Sequence, residues 1–396
     1  MLSRFSNDAF KPGTWQMNLA VVAAGFATFI NMYCTQSILP VLANAFNVSQ
    51  AKTGLSVTAP LLATAMMAPI VGAISDRFGR KRLILGAAVL LVIPTFLAAT
   101  ASSFTMFVLW RFVQGLMLPF IFTVTIAYIG DEAEGGMAAR LAGIYMAGTI
   151  TGGFSGRMIT GVATQFLGWR GALMSVALVT LLAALVVATF MRPEQRFKPQ
   201  YGIMRALKSF PVHLSNPKLL STFAVGFGVL FSLVAAFTFI NFRLAAAPYF
   251  LGPAALGSIF VVYLGGVVMS PLAGRLANRF GRRRVAAVAV PTIILGLVIT
   301  MAGPLPVIIG GLLLFCSAVF VQQTVGTAFV SQAAREAKST AVGLYVTCYY
   351  ISGSAGGIIP GGIWHVYGWP GCVALICAMQ AVLLAVALRF WTPITS

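Results

Sequence analysis

Long apolar runs, interrupted at short intervals by charge, glycine or proline, set the pattern of this chain. In the first half they fall at 16–43, 54–74, 84–101, 105–129, 140–164 and 171–191. In the second half they fall at 219–247, 255–274, 285–302, 305–329, 340–363 and 371–391. A helix that crosses a bilayer needs about 20 apolar residues, so each run reads as one crossing. Loops within each half are short, which makes consecutive helices antiparallel neighbours. A longer polar stretch, 192–218, separates the halves. The pattern predicts an all-α membrane protein of twelve transmembrane helices in two six-helix bundles, 1–191 and 219–396, joined by a basic loop at 192–218.

The two bundles are copies of one unit. The glycine-rich charged run Gly72, Asp76, Arg77, Gly79, Arg80, Lys81 and Arg82 lies between spans 2 and 3. It returns between spans 8 and 9 as Gly274, Asn278, Arg279, Gly281, Arg282, Arg283 and Arg284. Away from charge, Gly143, Tyr145, Gly153, Gly156, Gly161, Gly168, Trp169 and Gly171 recur 200 residues on as Gly343, Tyr345, Gly353, Gly356, Gly361, Gly368, Trp369 and Gly371. Spans 5 and 11 are therefore pseudo-symmetry mates, as expected of an internally duplicated transporter-like fold.

Composition supports a lipid solvent: 59% of residues are hydrophobic and 8% charged, with a mean hydropathy of +0.93. A soluble chain carries roughly a quarter charged residues. The net charge of +19 suggests nucleic acid only until its distribution is considered. Of the 26 Lys and Arg residues, 21 fall in the termini, the central loop and the loops on one face. Lys52 and Arg170 lie in the opposite loops, and Arg111, Arg157 and Arg243 lie inside spans. That asymmetry puts both termini in the cytoplasm of a cell whose inner membrane the chain spans. It also leaves lipid, not nucleic acid, as the large partner, with anionic headgroups drawing in the central loop. Five cysteines sit in apolar segments as packing residues, and no removable signal peptide is apparent.

With these residues in place, the chain resembles the major facilitator superfamily. The resemblance rests on the Gly72–Lys81 run, its degenerate copy, and Arg111 with Gln114 and Gly115 in span 4. The glycine-rich fifth span, and Tyr33, Cys34, Thr35 and Gln36 ahead of Pro40, are similar to the bacterial drug/proton-antiporter-like efflux branch. The resemblance implies two bundles rocking about a midplane site by alternating access, and a gate in which Asp76 meets a helix N-terminus of the other half. It also implies a cavity lined by spans 1, 4, 7 and 10. It departs from the branch at Arg157, where a glycine-proline pair is usual. Asn278, in place of an acid, weakens the second latch.

The candidate substrate and coupling residues are Asn31, Gln36, Arg111, Gln114, Arg157, Asn241, Arg243, Gln322 and Gln323. The gating set is Gly72, Asp76, Arg77, Gly79, Arg80, Asn278, Arg279, Gly281 and Arg282. Arginine inside a span is costly unless it faces protein or water. Arg111 therefore either serves the cavity or is hydrogen-bonded to neighbouring carbonyls. Gly148, Gly152 and Gly156, and Gly153 and Gly161 around Arg157, leave two bare ridges on span 5, while span 11 keeps Gly353, Gly357 and Gly361. Such spacing permits close helix packing. It also gives Arg157 space to face a cavity or the seam between halves, with snorkelling to the headgroups as the alternative. For any one amide, helix-to-helix bonding is as plausible as ligand contact.

All seven acids, Asp8, Asp76, Asp131, Glu132, Glu134, Glu194 and Glu336, lie in loops or cytoplasmic segments. A cavity with arginines and no carboxylate favours neutral or anionic cargo. The expectation is a secondary transporter exporting a small organic molecule, monomeric, without metal or cofactor and driven by a proton gradient. An organic-anion exchanger or uptake carrier is the alternative, with a transporter-like membrane sensor more remote. No nucleophile, acid-base or metal-ligand cluster suggests an enzyme, and His213 and His365 fall in different places.

Overall fold

A computed structural model of the protein describes residues 14–133, 135–194, 211, 213–333 and 338–391. Asp8, Glu134, Glu336, the first thirteen residues and most of the 192–218 loop lie outside the described residues. The first bundle contains α1 (Trp15–Tyr33), a 3₁₀ turn (Gln36–Ile38), α2 (Leu39–Phe46), α3 (Gln50–Thr53), α4 (Leu55–Phe78), α5 (Arg80–Ala99), α6 (Phe104–Glu132) and α7 (Gly135–Phe190). The second contains α8 (Pro217–Ala245), α9 (Pro253–Ser258), a 3₁₀ turn (Ile259–Val262), α10 (Tyr263–Phe280), α11 (Arg282–Ile299), α12 (Leu305–Ala333) and α13 (Lys338–Phe390).

Among the described residues, nine helices are long and apolar enough to cross a membrane. Two of them, α7 and α13, hold a non-helical glycine at mid-length, Gly168 at φ 69° and Gly368 at φ 59°, and each supplies two crossings. With α11, which opens on three arginines, the total is twelve. Both long helices are hairpins, as their contacts with a common neighbour require. Gly156, twelve residues before Gly168, lies on Ile30, and Thr180, twelve after it, bonds the adjacent Asn31 at 2.7 Å. Likewise Gly356 lies on Phe231 and Gln380 bonds Ser232 at 2.9 Å, again twelve residues either side of the bend. Positive φ makes glycine the residue that forms each bend without strain.

Span 1 departs from the single run expected at 16–43: its helix stops at Tyr33 and restarts at Leu39. Pro40 has no backbone N–H, so the Gln36 carbonyl one turn earlier cannot be bonded within a helix, and the chain breaks there. Outward faces carry Val268, Val288, Leu185 and Val382, all exposed because their natural solvent is hydrocarbon.

The glycine ridges are packing surfaces. A Cβ on Gly148, Gly152 or Gly156 would stand 2.6, 2.5 and 2.6 Å from the carbonyl oxygens of Val22, Phe26 and Ile30, so the first arm of α7 lies directly on the α1 backbone. Gly153, one residue off that ridge, has room for a Cβ, which would stand in ordinary van der Waals contact at 3.5 Å from Arg157 and 3.7 Å from Tyr33. Contacts between the two halves gather at the end carrying Gly168 and Gly368. There Gly54 meets the Gly357 carbonyl, Thr58 Oγ1 donates to Ser354 O at 3.0 Å, and Gly361 meets Ala51. On the pseudo-symmetric side a Cβ on Gly257 would be 2.7 Å from the Arg157 carbonyl, and one on Gly161 2.5 Å from that of Pro253. At the opposite, basic end, a Cβ on Gly72, Gly143, Gly274 or Gly343 would meet nothing within 4 Å.

Two substitutions separated by three residues test the ridge. Gly156→Ala forces α1 and α7 apart and is expected to lower stability by about 1–3 kcal/mol, the usual cost of overpacking. Gly153→Ala should leave the melting temperature of the purified protein near that of the parent. Equal melting temperatures for both variants would refute the assignment of the packing face.

Candidate functional site

The break in span 1 exposes carbonyls inside the membrane, and four of them find donors from three other spans. Arg111, with none of its surface exposed, donates from Nη1 to Asn31 O at 2.7 Å, from Nη2 to Met32 O at 2.9 Å and from Nε to Ser56 O at 3.0 Å. Its Nη1 also meets Gln114 Oε1 at 2.5 Å. Thr160 Oγ1 donates to Cys34 O at 2.6 Å. Asn241, from the other half, donates to Gln36 O at 2.8 Å. Arg111 therefore takes the structural alternative: it is a staple on a broken helix. Gln114 and Asn31 belong to the same network, meeting at Thr95 through bonds of 2.8 and 2.7 Å. Neither is free to bind cargo.

Arg157 has a different setting. Its Nε donates to Gln36 Oε1 and its Nη1 to Gly153 O, both at 2.8 Å. Three rings surround the guanidinium, Tyr33 at 4.2 Å, Phe260 at 4.5 Å and Tyr263 at 4.8 Å from their centroids. Tyr33 belongs to the first half, Phe260 and Tyr263 to the second, so the cation sits on the seam and does not snorkel to the headgroups. Side chains on a helix lean toward its N-terminus, which aims Arg157 away from the tight Gly257 and Gly161 contacts and into the space between the halves. Tyr33, Tyr263, Gln323 and Tyr349 are only half-buried there although they lie deep in their spans.

Four of the predicted amides differ from Asn31 and Gln114 in keeping a buried atom with no protein partner among the described residues. These are Gln36 Nε2, Asn241 Oδ1, Gln322 Oε1 and Gln323 Oε1. Gln322 spends its amide N–H on Gln380 at 3.0 Å, between helices, whereas Gln323 donates to the Tyr349 hydroxyl at 3.1 Å.

At the basic end, Gly79 at φ 91° and Gly281 at φ 83° make the sharp turns into α5 and α11. Asp76 pairs with Arg80 of its own half at 2.8 Å, and Arg80 Nε also binds Asp131 at 2.9 Å. The carboxylate that meets a helix N-terminus here is Glu194, whose oxygens accept from the Arg80 and Lys81 N–H groups at 3.0 and 3.2 Å, a favourable place for negative charge. Among the described residues, Asp76 makes no ion pair with the other half. Arg77 and Arg279 are exposed and lie over their neighbours Phe78 and Phe280, Asn278 is exposed, and Arg282 lies over Phe329.

Comparison with known proteins matches this architecture. The Major Facilitator Superfamily profile matches residues 21–266 and 246–396. The inner membrane transport protein YnfM of Escherichia coli K12 is 34% identical over 390 residues, covering 97% of this chain and 93% of that one. The chain belongs to the major facilitator superfamily. Two solved structures share the fold at low identity. A single-residue mutant of the nucleoside transporter NupG has a TM-score of 0.80 at 14% identity, covering 95% of this chain and 100% of that one. A bacterial homologue of the human lysosomal transporter Spinster, in an inward-facing and occupied conformation, has 0.76 at 17%, covering 94% and 95%. The protein is accordingly a multi-pass membrane transporter.

Within this major facilitator chain, one predicted site residue is misplaced. Arg243 does not face the cavity: it donates to the carbonyls of Thr300, Met301 and Ala302 and so caps the end of α11. Arg170 does the same for α5 through Ala101 O at 3.1 Å. The aromatic lining went unread in the sequence. Tyr263, Phe260, Tyr349 and Tyr350 do not stand out among 30 Phe and 10 Tyr, and they fall in spans 8 and 11, outside the spans expected to line the cavity.

The two arginines should respond in opposite ways to truncation. Arg111→Ala removes the charged donor from the Asn31, Met32 and Ser56 carbonyls, leaving Asn31 and Ser56 only long bonds from Cys34 and Thr35; a buried carbonyl left unsatisfied costs about 1–3 kcal/mol, and the variant should abolish recovery of monodisperse protein. Arg157→Gln should still yield folded protein by size-exclusion chromatography and thermal melting. Normal folding of the Arg111 variant would overturn its assignment as a staple.

Proposed function

We propose that the protein is a secondary active exporter of the inner membrane that carries a small neutral or anionic organic molecule outward in exchange for protons by alternating access. The observation that carries this reading is the contrast between the two ends of the seam. One end is shut by backbone-close contacts at Gly54, Gly257, Gly161 and Gly361. At the other, the pseudo-symmetric glycines Gly72, Gly143, Gly274 and Gly343 are bare. With basic loops on the cytoplasmic face, the open end is cytoplasmic. Rocking the halves would exchange the two sets of contacts, bringing Gly72 of span 2 to Gly343 of span 11 and Gly143 of span 5 to Gly274 of span 8. Asp76 would then lie near the other half and the outer end would part. The inward-facing conformation of the Spinster homologue is consistent with this assignment.

The cargo preference rests on Arg157 in a chamber with no carboxylate among the described span interiors, where a cation would be repelled. Export and proton exchange rest on similarity to the efflux branch. A second reading, an organic-anion exchanger or uptake carrier, is favoured by the same missing carboxylate, since exchange of one anion for another needs no proton site.

Cysteine pairs test the cycle directly. Thr58→Cys with Ser354→Cys should crosslink at the outer end, and Gly72→Cys with Gly343→Cys at the cytoplasmic end. Both are expected to form in membranes, and forming one should block the other. Absence of the Gly72–Gly343 crosslink under all conditions would refute rocking. Export from vesicles that persists unchanged after the pH gradient is dissipated would refute proton coupling and leave the anion exchanger.

A further inference from the structure

Arg157 is a permanent charge buried to 2% exposure, with no carboxylate partner among the described residues. Its surroundings stabilise a cation without neutralising it. The three rings offer the negative faces of their π systems, and the Gln36 and Gly153 oxygens take one hydrogen bond each. Nη2 has no acceptor among the described residues. It lies on the same edge of the guanidinium fork as Nε, and that edge is where Gln36 is docked. Gln36 turns its oxygen to Nε, and its own Nε2 amide is buried and without a partner among the described residues. Two donors, one of them charged, thus belong to one hydrogen-bonded pair of side chains and have no acceptor among the described residues.

We infer that the Arg157–Gln36 edge binds the carboxylate of an organic acid with a planar aromatic body, one oxygen accepting from Nη2 and the other from Gln36 Nε2. The inference rests on the chamber being the transport site. Two donors match the two oxygens of a carboxylate, and charge-assisted bonds of this kind are the strong ones. The body of the ligand would lie against Tyr33 and Tyr263, half-buried rings facing the chamber from opposite halves. A cationic ligand is rejected by Arg157. A neutral amide can offer only one acceptor oxygen and leaves the charge uncompensated, so the acid should be preferred over its own amide.

The test is binding to the purified full-length protein in detergent, by isothermal calorimetry at neutral pH. Phenylacetate, trans-cinnamate and indole-3-acetate would each be compared with the corresponding amide. At least one acid should bind tenfold or more tightly than its amide. In Arg157→Gln the acid and amide should come within twofold of each other. Arg157→Lys, which keeps the charge and loses the fork, should retain an intermediate preference and serves if the glutamine variant does not fold. Tyr263→Leu should weaken acid and amide alike. The inference is overturned if no acid binds the parent protein, if acids and amides bind equally, or if the preference survives in Arg157→Gln. Because the crosslinking pairs need no cargo, alternation of the two ends with no acid preference would sink this inference alone.

Discussion

Inside a bilayer no water is available to satisfy a backbone carbonyl, so a helix that breaks there must be repaired by protein. Span 1 breaks between Tyr33 and Leu39, and the rest of the site follows from the repair. Arg111 from span 4 holds the carbonyls of Asn31 and Met32, Thr160 from span 5 holds that of Cys34, and Asn241 from the other half holds that of Gln36. One break thereby ties together two spans of its own bundle and one of the partner bundle. It also turns Gln36 out of helical register, which is how its side chain comes to rest on Arg157.

The glycine ridges play a complementary part. Apolar side chains gain little from leaving lipid for protein, so helix association depends on close packing and on hydrogen bonds between spans. The ridge of Gly148, Gly152 and Gly156 brings α1 against the first arm of α7 within one bundle, leaving the break close enough for Thr160 to reach. The contacts of Gly54 with Gly357 and of Gly257 with Arg157 are pseudo-symmetric mates across the seam. The side chain at 157 is consequently carried by a backbone segment that itself touches the other half. Parting of that seam would separate Arg157 from Phe260 and Tyr263 at once, which links the environment of the cation to the closure of that end.

Architecture was legible in the chain because it is written in run length and repetition. Twelve apolar runs, a duplicated charged turn and the glycines recurring at an offset of 200 required no knowledge of side-chain contacts. Helix ends were less legible: the break in span 1 hides in a continuous apolar run, and only Pro40 hints at it. The three intramembrane arginines show the same limit. Burial of a charge in a span is readable, but its partner is not, because the partners of Arg111 and Arg243 are backbone carbonyls, which every residue carries and no sequence distinguishes. Arg157 was half readable: the glycines around it announced the space, while the choice between the seam and the headgroups stayed open because Gln36 and the rings that hold it come from other spans.

These three arginines also show why charge count alone is a poor guide to a transport chamber. Arg243 and Arg111 are each held by several backbone carbonyls, whose dipoles take up most of the charge's demand for solvation. Carbonyl oxygens are strong acceptors, and a guanidinium that binds three of them has few donors left for a ligand. At Arg157 the same demand is met by π faces and two oxygens, which leaves the fork incomplete. Of the three, Arg157 is the one whose charge is left least satisfied. Its position at the seam, between Tyr33 of one half and Tyr263 of the other, ties its surroundings to the contact between the halves.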